Sequence, residues 1–123
     1  MKPKKRVLLV DDSRTILMME RAILSREYDV WDAADGEEAL KKIQLAPPDI
    51  VLLDLVMPRL DGMETLTRLR ASPATREIPV IMVTTKGEVG RAEAAREAGC
   101  QEFVTKPING PLLLSRMRAL LGD

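Results

Sequence analysis

Three aspartates, a threonine and a lysine have the side chains that phosphoryl transfer needs, and each follows an aliphatic segment. They are Asp11, Asp12, Asp54, Thr84 and Lys106. Three neighbouring carboxylates repel one another, so such a cluster either takes up protons or binds a cation. Carboxylates and waters are typical ligands of Mg²⁺. A divalent ion and an ammonium would offset the charge of phosphoryl oxygens, and an aspartate can act as the nucleophile.

The segments before these residues predict their scaffold. Aliphatic strand patterns cover residues 6–10, 29–33, 49–53, 79–83 and 101–105, and helical patterns cover residues 13–27, 35–45, 61–71, 88–98 and 111–121. Five such alternations predict an α/β fold with a doubly wound, five-stranded parallel sheet and right-handed crossovers. The second strand is the most polar and is predicted to lie at an edge. The carboxyl ends of parallel strands share one edge of the sheet, so all five side chains are predicted to converge there.

Two helical patterns carry predictions about surfaces. In the first helix, Ile16, Met19 and Ile23 have the spacing of a buried stripe, which leaves Leu17 and Met18 as additional apolar residues. In the last helix the predicted buried stripe is Leu113, Met117 and Leu120. The charged residues of the fourth helix, which include Arg96, predict a solvated face.

Composition excludes several kinds of site. The chain has 123 residues, a formal net charge of +0, one cysteine and no histidine. A Cys/His zinc site, histidine acid–base catalysis and an internal disulfide are therefore excluded. The balanced charge gives no general attraction to nucleic acid or to anionic lipid. No apolar run is long enough to span a membrane, so we expect a cytoplasmic protein.

The full pattern resembles the signature of response-regulator receiver domains of two-component signalling. The resemblance covers essentially the whole chain in order and spacing, and it rests on Asp11-Asp12, Asp54 followed by Met57-Pro58 and Asp61-Gly62, Thr84 and Lys106-Pro107. It implies one flavodoxin-like receiver domain of the (βα)5 type over residues 1–123, with strand order 2-1-3-4-5.

The resemblance also implies the chemistry. Asp54 would accept a phosphoryl group from a phosphohistidine of a sensor histidine kinase or phosphotransfer domain. Mg²⁺ (or Mn²⁺) would be ligated by Asp12, Asp54 and the backbone carbonyl of Val56, and by Asp11 mainly through water. Such a domain catalyses its own phosphorylation and dephosphorylation and is not a conventional enzyme.

Further roles follow from the same resemblance. Lys106 would pair with a phosphoryl oxygen, and the Lys106-Pro107 peptide bond would be cis. Thr84 would donate its hydroxyl to the phosphoryl group and shift toward it, and the ring of Phe103 would turn inward. Departures are mild: Phe103 stands where tyrosine is frequent, and Thr85 is larger than usual. Val56 and Lys86 occupy positions that tune the lifetime of the phosphorylated state.

Competing interpretations differ in what they require. A haloacid-dehalogenase-like phosphatase needs a second aspartate two residues after the nucleophile, where this chain has Val56. A flavin carrier needs phosphate-binding amides in the first loop, where Asp11 and Asp12 have the wrong charge. A receiver-like docking module that is not phosphorylated and the receiver part of a longer multidomain regulator both remain open.

Partners are predicted in general terms only. We expect a stand-alone regulator, a monomer or weak homodimer, that binds no nucleic acid directly and no membrane. The kinase or phosphotransfer domain would dock at the first helix, where Leu17 and Met18 are either donor contacts or ordinary exposed apolar surface. An unidentified output protein would bind the face around the last strand and helix. There, Leu112 and Leu114 are more simply explained as the edges of a wide core stripe.

Overall fold

The computed structural model describes residues 3–85 and 90–122, in which five strands alternate with five helices. The strands are β1 Lys5–Val10, β2 Tyr28–Ala33, β3 Ile50–Asp54, β4 Val80–Thr84 and β5 Glu102–Thr105. The helices are α1 Arg14–Leu24, α2 Gly36–Leu45, α3 Gly62–Ala71, α4 Ala92–Glu97 and α5 Gly110–Leu121. All strand pairs are parallel, in the order β2-β1-β3-β4-β5. The predicted α/β fold, strand order and edge position of β2 are confirmed.

Alternate residues of the strands feed two aliphatic cores, one on each face of the sheet. Leu8 and Val10 of β1 belong to the core that also contains residues of α2, α3 and α4. Val7 and Leu9, which point to the opposite face, pack with residues of α1 and α5. Burial on both faces explains why β1 and β3 are nearly continuous aliphatic runs.

The first helix differs from its prediction in length and orientation. It ends at Leu24, because Ser25 forms the C-cap and β2 begins at Tyr28. Its buried residues are Glu20 and Leu24, while Met19 is 41% exposed. Leu17 packs against the core formed with α5. The predicted stripe of Ile16, Met19 and Ile23 is therefore wrong at Met19, while Ile23 packs against the same core as Leu17.

The fourth helix is described only from Ala92 to Glu97. The start predicted at Glu88, like the tuning position Lys86, lies outside the described residues. The helix stops before Gly99, whose φ of 112° lies in the left-handed region. A Cβ there would come within 2.8 Å of the Arg70 Nε, so glycine serves both the turn and the close approach. No helix among the described residues is long and apolar enough to cross a membrane.

Candidate functional site

Three carboxylates meet at the carboxyl edge of the sheet, where β1 and β3 lie side by side. Asp11 and Asp12 follow β1, and Asp54 is the last residue of β3. One carboxylate oxygen from each of the three lies within 4.8 Å of the others. Asp11 is 1% exposed and Asp54 is 6% exposed, whereas Asp12 is open to solvent. The convergence predicted for these three carboxylates is thus present, with two of the three withdrawn from water.

The ammonium of Lys106 closes this cluster from the side of β5. Its Nζ lies 3.1 Å from the Asp11 Oδ2 and 3.3 Å from the Asp54 Oδ1. Burial opposes the charged ammonium, but these two carboxylates prevail and raise the pKa of Lys106 above its usual value. One cation facing three carboxylates leaves an excess of negative charge, which is the condition that favours a divalent ion.

The surroundings of Asp54 make its carboxyl easier to protonate than an ordinary aspartate. Burial is the largest cause, followed by the charge of Asp11, and together they raise the pKa of Asp54 to about 6. Lys106 acts in the opposite direction through its charge and its hydrogen bond. At neutral pH the carboxylate is therefore predominantly ionised and can serve as a nucleophile, despite being nine-tenths buried.

The acidic residues after β1 are held by the start of α1. The backbone N–H of Ser13 donates to the Asp11 Oδ1 over 2.8 Å, which leaves the Oδ2 directed at Lys106. Ser13 is also the N-cap, and its Oγ accepts from the N–H of Ile16. The sequence Asp11-Asp12-Ser13 thus fixes a carboxylate and begins a helix within three residues.

The segment after β3 passes very close to the backbone of Asp54. The N–H of Gly62 donates to the carbonyl of Leu55, and a Cβ at Gly62 would lie 2.3 Å from the carbonyl oxygen of Asp54. Met57 and Leu60 are buried and anchor this segment, whereas the side chain of Val56 is 52% exposed. Only glycine at position 62 permits this approach, so it helps to set where Asp54 lies.

Thr84 and Phe103 lie on the β4–β5 side of the site. Thr84 is 2% exposed, and its hydroxyl donates to the backbone carbonyl of Thr85 over 3.2 Å. Phe103 is partly buried against the core on the α2, α3 and α4 face. The N–H of Lys106 donates to the carbonyl of Thr84 over 2.7 Å, and the predicted cis Lys106-Pro107 bond is present.

One buried ionisable residue was not predicted. Glu20 of α1 is 1% exposed, and its pKa is raised to about 8, first by burial and then by the charge of Asp11. Asp54 adds to this shift, whereas Lys106 opposes it. Leu17, Glu20 and Leu24 have the spacing of one helix face, so the sequence contained a pattern that could have placed Glu20 on the buried side. Glutamates are seldom buried, and for this reason the pattern was not used.

Comparison with known proteins agrees with this geometry. The family model of the response regulator receiver domain matches residues 7–118. The response regulator PleD of Caulobacter vibrioides is 37% identical over 116 residues, which cover 94% of this chain and 26% of PleD. The alkaline phosphatase synthesis transcriptional regulatory protein PhoP of Bacillus subtilis is 37% identical over 118 residues, which cover 95% of this chain and 48% of PhoP. The chain thus spans half or less of the length of these relatives.

Solved structures give the same result. Chemotaxis protein CheY4 of Vibrio cholerae has a TM-score of 0.89 and 32% identity, with 97% of this chain and 100% of that chain covered. The receiver domain of the sensor histidine kinase PA1611 of Pseudomonas aeruginosa, solved with magnesium coordinated in its active site cleft, has a TM-score of 0.89 and 28% identity, with 98% and 100% covered. This chain belongs to the response regulator receiver domains of two-component systems.

Proposed function

We propose that the chain is a phospho-acceptor receiver and that Asp54 takes the phosphoryl group. A carboxylate oxygen of Asp54 attacks the phosphorus of a phosphohistidine. The new O–P bond replaces the P–N bond, and the imidazole leaves with the electron pair and takes up a proton. The observation that carries this proposal is that the Asp54 carboxylate shares a cluster with two further carboxylates and the Lys106 ammonium.

The donor set fits a hard divalent cation. Asp11, Asp12 and Asp54 offer oxygen ligands close enough to share one ion, with one position open to solvent. Bound Mg²⁺ (or Mn²⁺) would offset the negative charge of the incoming phosphoryl oxygens. We assign direct ligation to Asp12, Asp54 and the backbone carbonyl of Val56, and an indirect role through water to Asp11.

Two residues of this chain act on the phosphoryl oxygens. The ammonium of Lys106 already lies 3.3 Å from the Asp54 Oδ1, so it is positioned to pair with an oxygen attached there. The hydroxyl of Thr84 is buried and donates to the neighbouring backbone carbonyl of Thr85 over 3.2 Å. Turning that hydroxyl toward the phosphoryl group costs one part-buried hydrogen bond and gains a charge-assisted one.

The output of the reaction is a change in the face around β5 and α5. Movement of Thr84 toward the phosphoryl group vacates space, and the ring of Phe103 turns inward to occupy it. The partners are a sensor histidine kinase or phosphotransfer domain and an unidentified output protein. The relatives are longer than this chain, so the output is either a separate protein or a further segment of a longer regulator. We further propose that residues 1–123 form a single receiver domain acting in the cytoplasm.

Intact-mass spectrometry after incubation with acetyl phosphate and Mg²⁺ tests the proposal. Wild type is expected to gain the mass of one phosphoryl group, which is lost in base and absent when EDTA replaces Mg²⁺. Asp54→Ala is expected to gain nothing, while Asp49→Ala, which changes an exposed aspartate outside the cluster, labels normally.

The alternative is a docking module that is not phosphorylated. It predicts that wild type remains unlabelled with acetyl phosphate and with a phosphohistidine donor. That result, or equal labelling of Asp54→Ala, would overturn the assignment of Asp54.

A further inference from the structure

The ring of Phe103 lies beneath the side chain of an arginine. The Arg96 Cζ is 4.7 Å from the ring centroid, within the range of a cation–π contact. Arg96 is exposed on α4, so the predicted solvated face of this helix is correct for Arg96. The ring itself is partly buried against the core that contains Met82 and Cys100. The guanidinium therefore covers the ring from the α4 side.

The strand register places this ring close to Thr84. Phe103 pairs with Met82, and Thr105 pairs with Thr84, in the β4–β5 ladder. Residues two apart on a strand share a face, so Phe103 and Thr84 lie on the same side of the sheet, one step apart. A ring that turns toward the space beside Thr84 must move away from its position under Arg96.

We propose that Arg96 is a positioning residue that holds Phe103 in its outward, resting orientation. This inference rests on the proposed function, because it requires Phe103 to be the switch residue. Phosphorylation would break the Arg96–Phe103 contact and release the guanidinium at the α4–β5 face. There the cation becomes available to a carboxylate of an output partner in the phosphorylated state only.

The strength of the contact sets how large the effect can be. A cation–π contact at an exposed site changes a two-state equilibrium by about two- to fivefold. Arg96 therefore biases the resting orientation and does not prevent the switch. Because a phosphoryl mimic binds the inward state preferentially, its apparent dissociation constant varies inversely with the inward fraction and falls as that fraction rises.

The chain offers an unusually direct measurement, because Phe103 is its only phenylalanine. Incorporated 4-fluorophenylalanine gives one ¹⁹F resonance that reports this ring alone. Beryllofluoride with Mg²⁺ serves as the mimic of the phosphoryl group. Arg96→Met, which keeps an apolar stem without the cation, is expected to move the resting resonance toward the beryllofluoride-bound position. It is also expected to lower the beryllofluoride midpoint by about two- to fivefold.

Two variants separate positioning from a general structural role. Arg96→Lys retains a cation without the planar guanidinium and is expected to lie between Arg96→Met and wild type in both readouts. Arg76→Met, a change of an exposed arginine elsewhere on the surface, is expected to change neither. A resting resonance and midpoint of Arg96→Met equal to those of wild type would overturn the inference.

The outcome also distinguishes this inference from the proposed function. If acetyl phosphate labels wild type and beryllofluoride moves its resonance, the acceptor site and the ring movement stand, and only Arg96 is in question. If wild type shows labelling but no resonance change, Phe103 is not the switch and the inference about Arg96 fails with it. If Asp54 is not labelled at all, the proposed function itself fails.

Discussion

The two sides of the site differ in how firmly they are held. On the β1–β3 side, both strands have neighbours on either side, and Asp11 and Asp54 are almost fully buried. On the β4–β5 side, β5 is a four-residue edge strand, and Phe103 is only partly covered, by an exposed arginine. The β1–β3 side is the fixed side of the site and holds the proposed chemistry, whereas the proposed signal arises on the β4–β5 side, which can rearrange.

Lys106 joins the two sides, and its removal is expected to have the largest effect. Its ammonium contacts the carboxylates of the fixed side, while its backbone N–H donates to Thr84. Lys106→Met removes the cation and keeps the length of the side chain. We expect the rate of labelling by acetyl phosphate to fall by about 10²- to 10³-fold, the usual loss when a preorganised electrostatic partner is removed.

The measurement is the time course of phosphorylation by intact-mass spectrometry in Mg²⁺. Lys41→Met changes an exposed lysine of α2 and is expected to label at the wild-type rate. Because Lys106 lowers the pKa of Asp54, the loss in Lys106→Met should be larger at pH 6 than at pH 8. Labelling of Lys106→Met at the wild-type rate would show that the ammonium does not contribute to the acceptor reaction.

Replacing Glu20 shows whether ionisation of this buried carboxyl lowers the free energy of unfolding. Folding raises its pKa from 4.5 to about 8, so the folded state binds this proton more tightly than the unfolded state. The neutral side chain is fully accommodated below pH 4.5, and stability is lost as the pH rises from 4.5 to about 8. Glu20→Gln removes this loss, and at pH 7 it should raise the free energy of unfolding by on the order of 3 kcal/mol.

Urea denaturation at several pH values, with EDTA present, measures this effect. The difference between Glu20→Gln and wild type should be small near pH 4.5 and reach its maximum above pH 8. Glu37→Gln, which changes an exposed glutamate of α2, is the control for replacing a carboxyl group by an amide at a position that is not buried. A difference that stays constant from pH 5 to 9 would mean that folding does not raise the pKa of Glu20.

Replacing Gly62 shows how far the backbone around Asp54 can shift before stability and reactivity are lost. A methyl group at this position would lie 2.3 Å from the carbonyl oxygen of Asp54 and 2.8 Å from the Cα of Leu55. Both neighbours are backbone, so Gly62→Ala must shift the chain that carries the acceptor. We expect a loss of about 1–3 kcal/mol in the free energy of unfolding and a slower labelling of Asp54.

Gly90→Ala is the matched control, because a Cβ at Gly90 meets no atom of the described part of the chain within 4 Å. It should leave the unfolding free energy and the labelling rate close to those of wild type. If Gly62→Ala were as stable and as reactive as Gly90→Ala, the fixed side would be more adaptable than the burial of Asp54 implies.

The fold could be predicted from the sequence because the strands that supply both cores are short aliphatic runs separated by helical patterns. The aliphatic runs of β1 and β3 and the aspartates that follow them place the cluster without any knowledge of tertiary contacts. The orientation of α1 could not be predicted, since Ile16, Met19 and Ile23 fit helical spacing as well as Leu17, Glu20 and Leu24. Arg96 was missed as a partner of Phe103 because a cation–π contact leaves no periodic pattern.

Replacing Met18 is expected to have the smallest effect of these substitutions, and it concerns the surface on which the donor protein would dock. Its side chain is 71% exposed on α1, beside a cavity of about 240 Å³ that is also lined by Leu17 and Asp32. Leu17 packs in the core, so its truncation would combine a stability loss with any effect on docking. Met18→Ala alone removes exposed apolar surface next to the fixed side.

If the phosphohistidine donor docks on α1, Met18→Ala should slow transfer from a phosphorylated histidine phosphotransfer protein by a few-fold, since truncation of a contact near an interface costs about 1 kcal/mol. Labelling by acetyl phosphate, which needs no docking surface, should remain unchanged. Leu45→Ala, which truncates an 87% exposed residue of α2, is the matched control for loss of apolar surface. Equal slowing with both donors would place the effect of Met18 in the acceptor site, and it would remove α1 as the donor's approach to the fixed side.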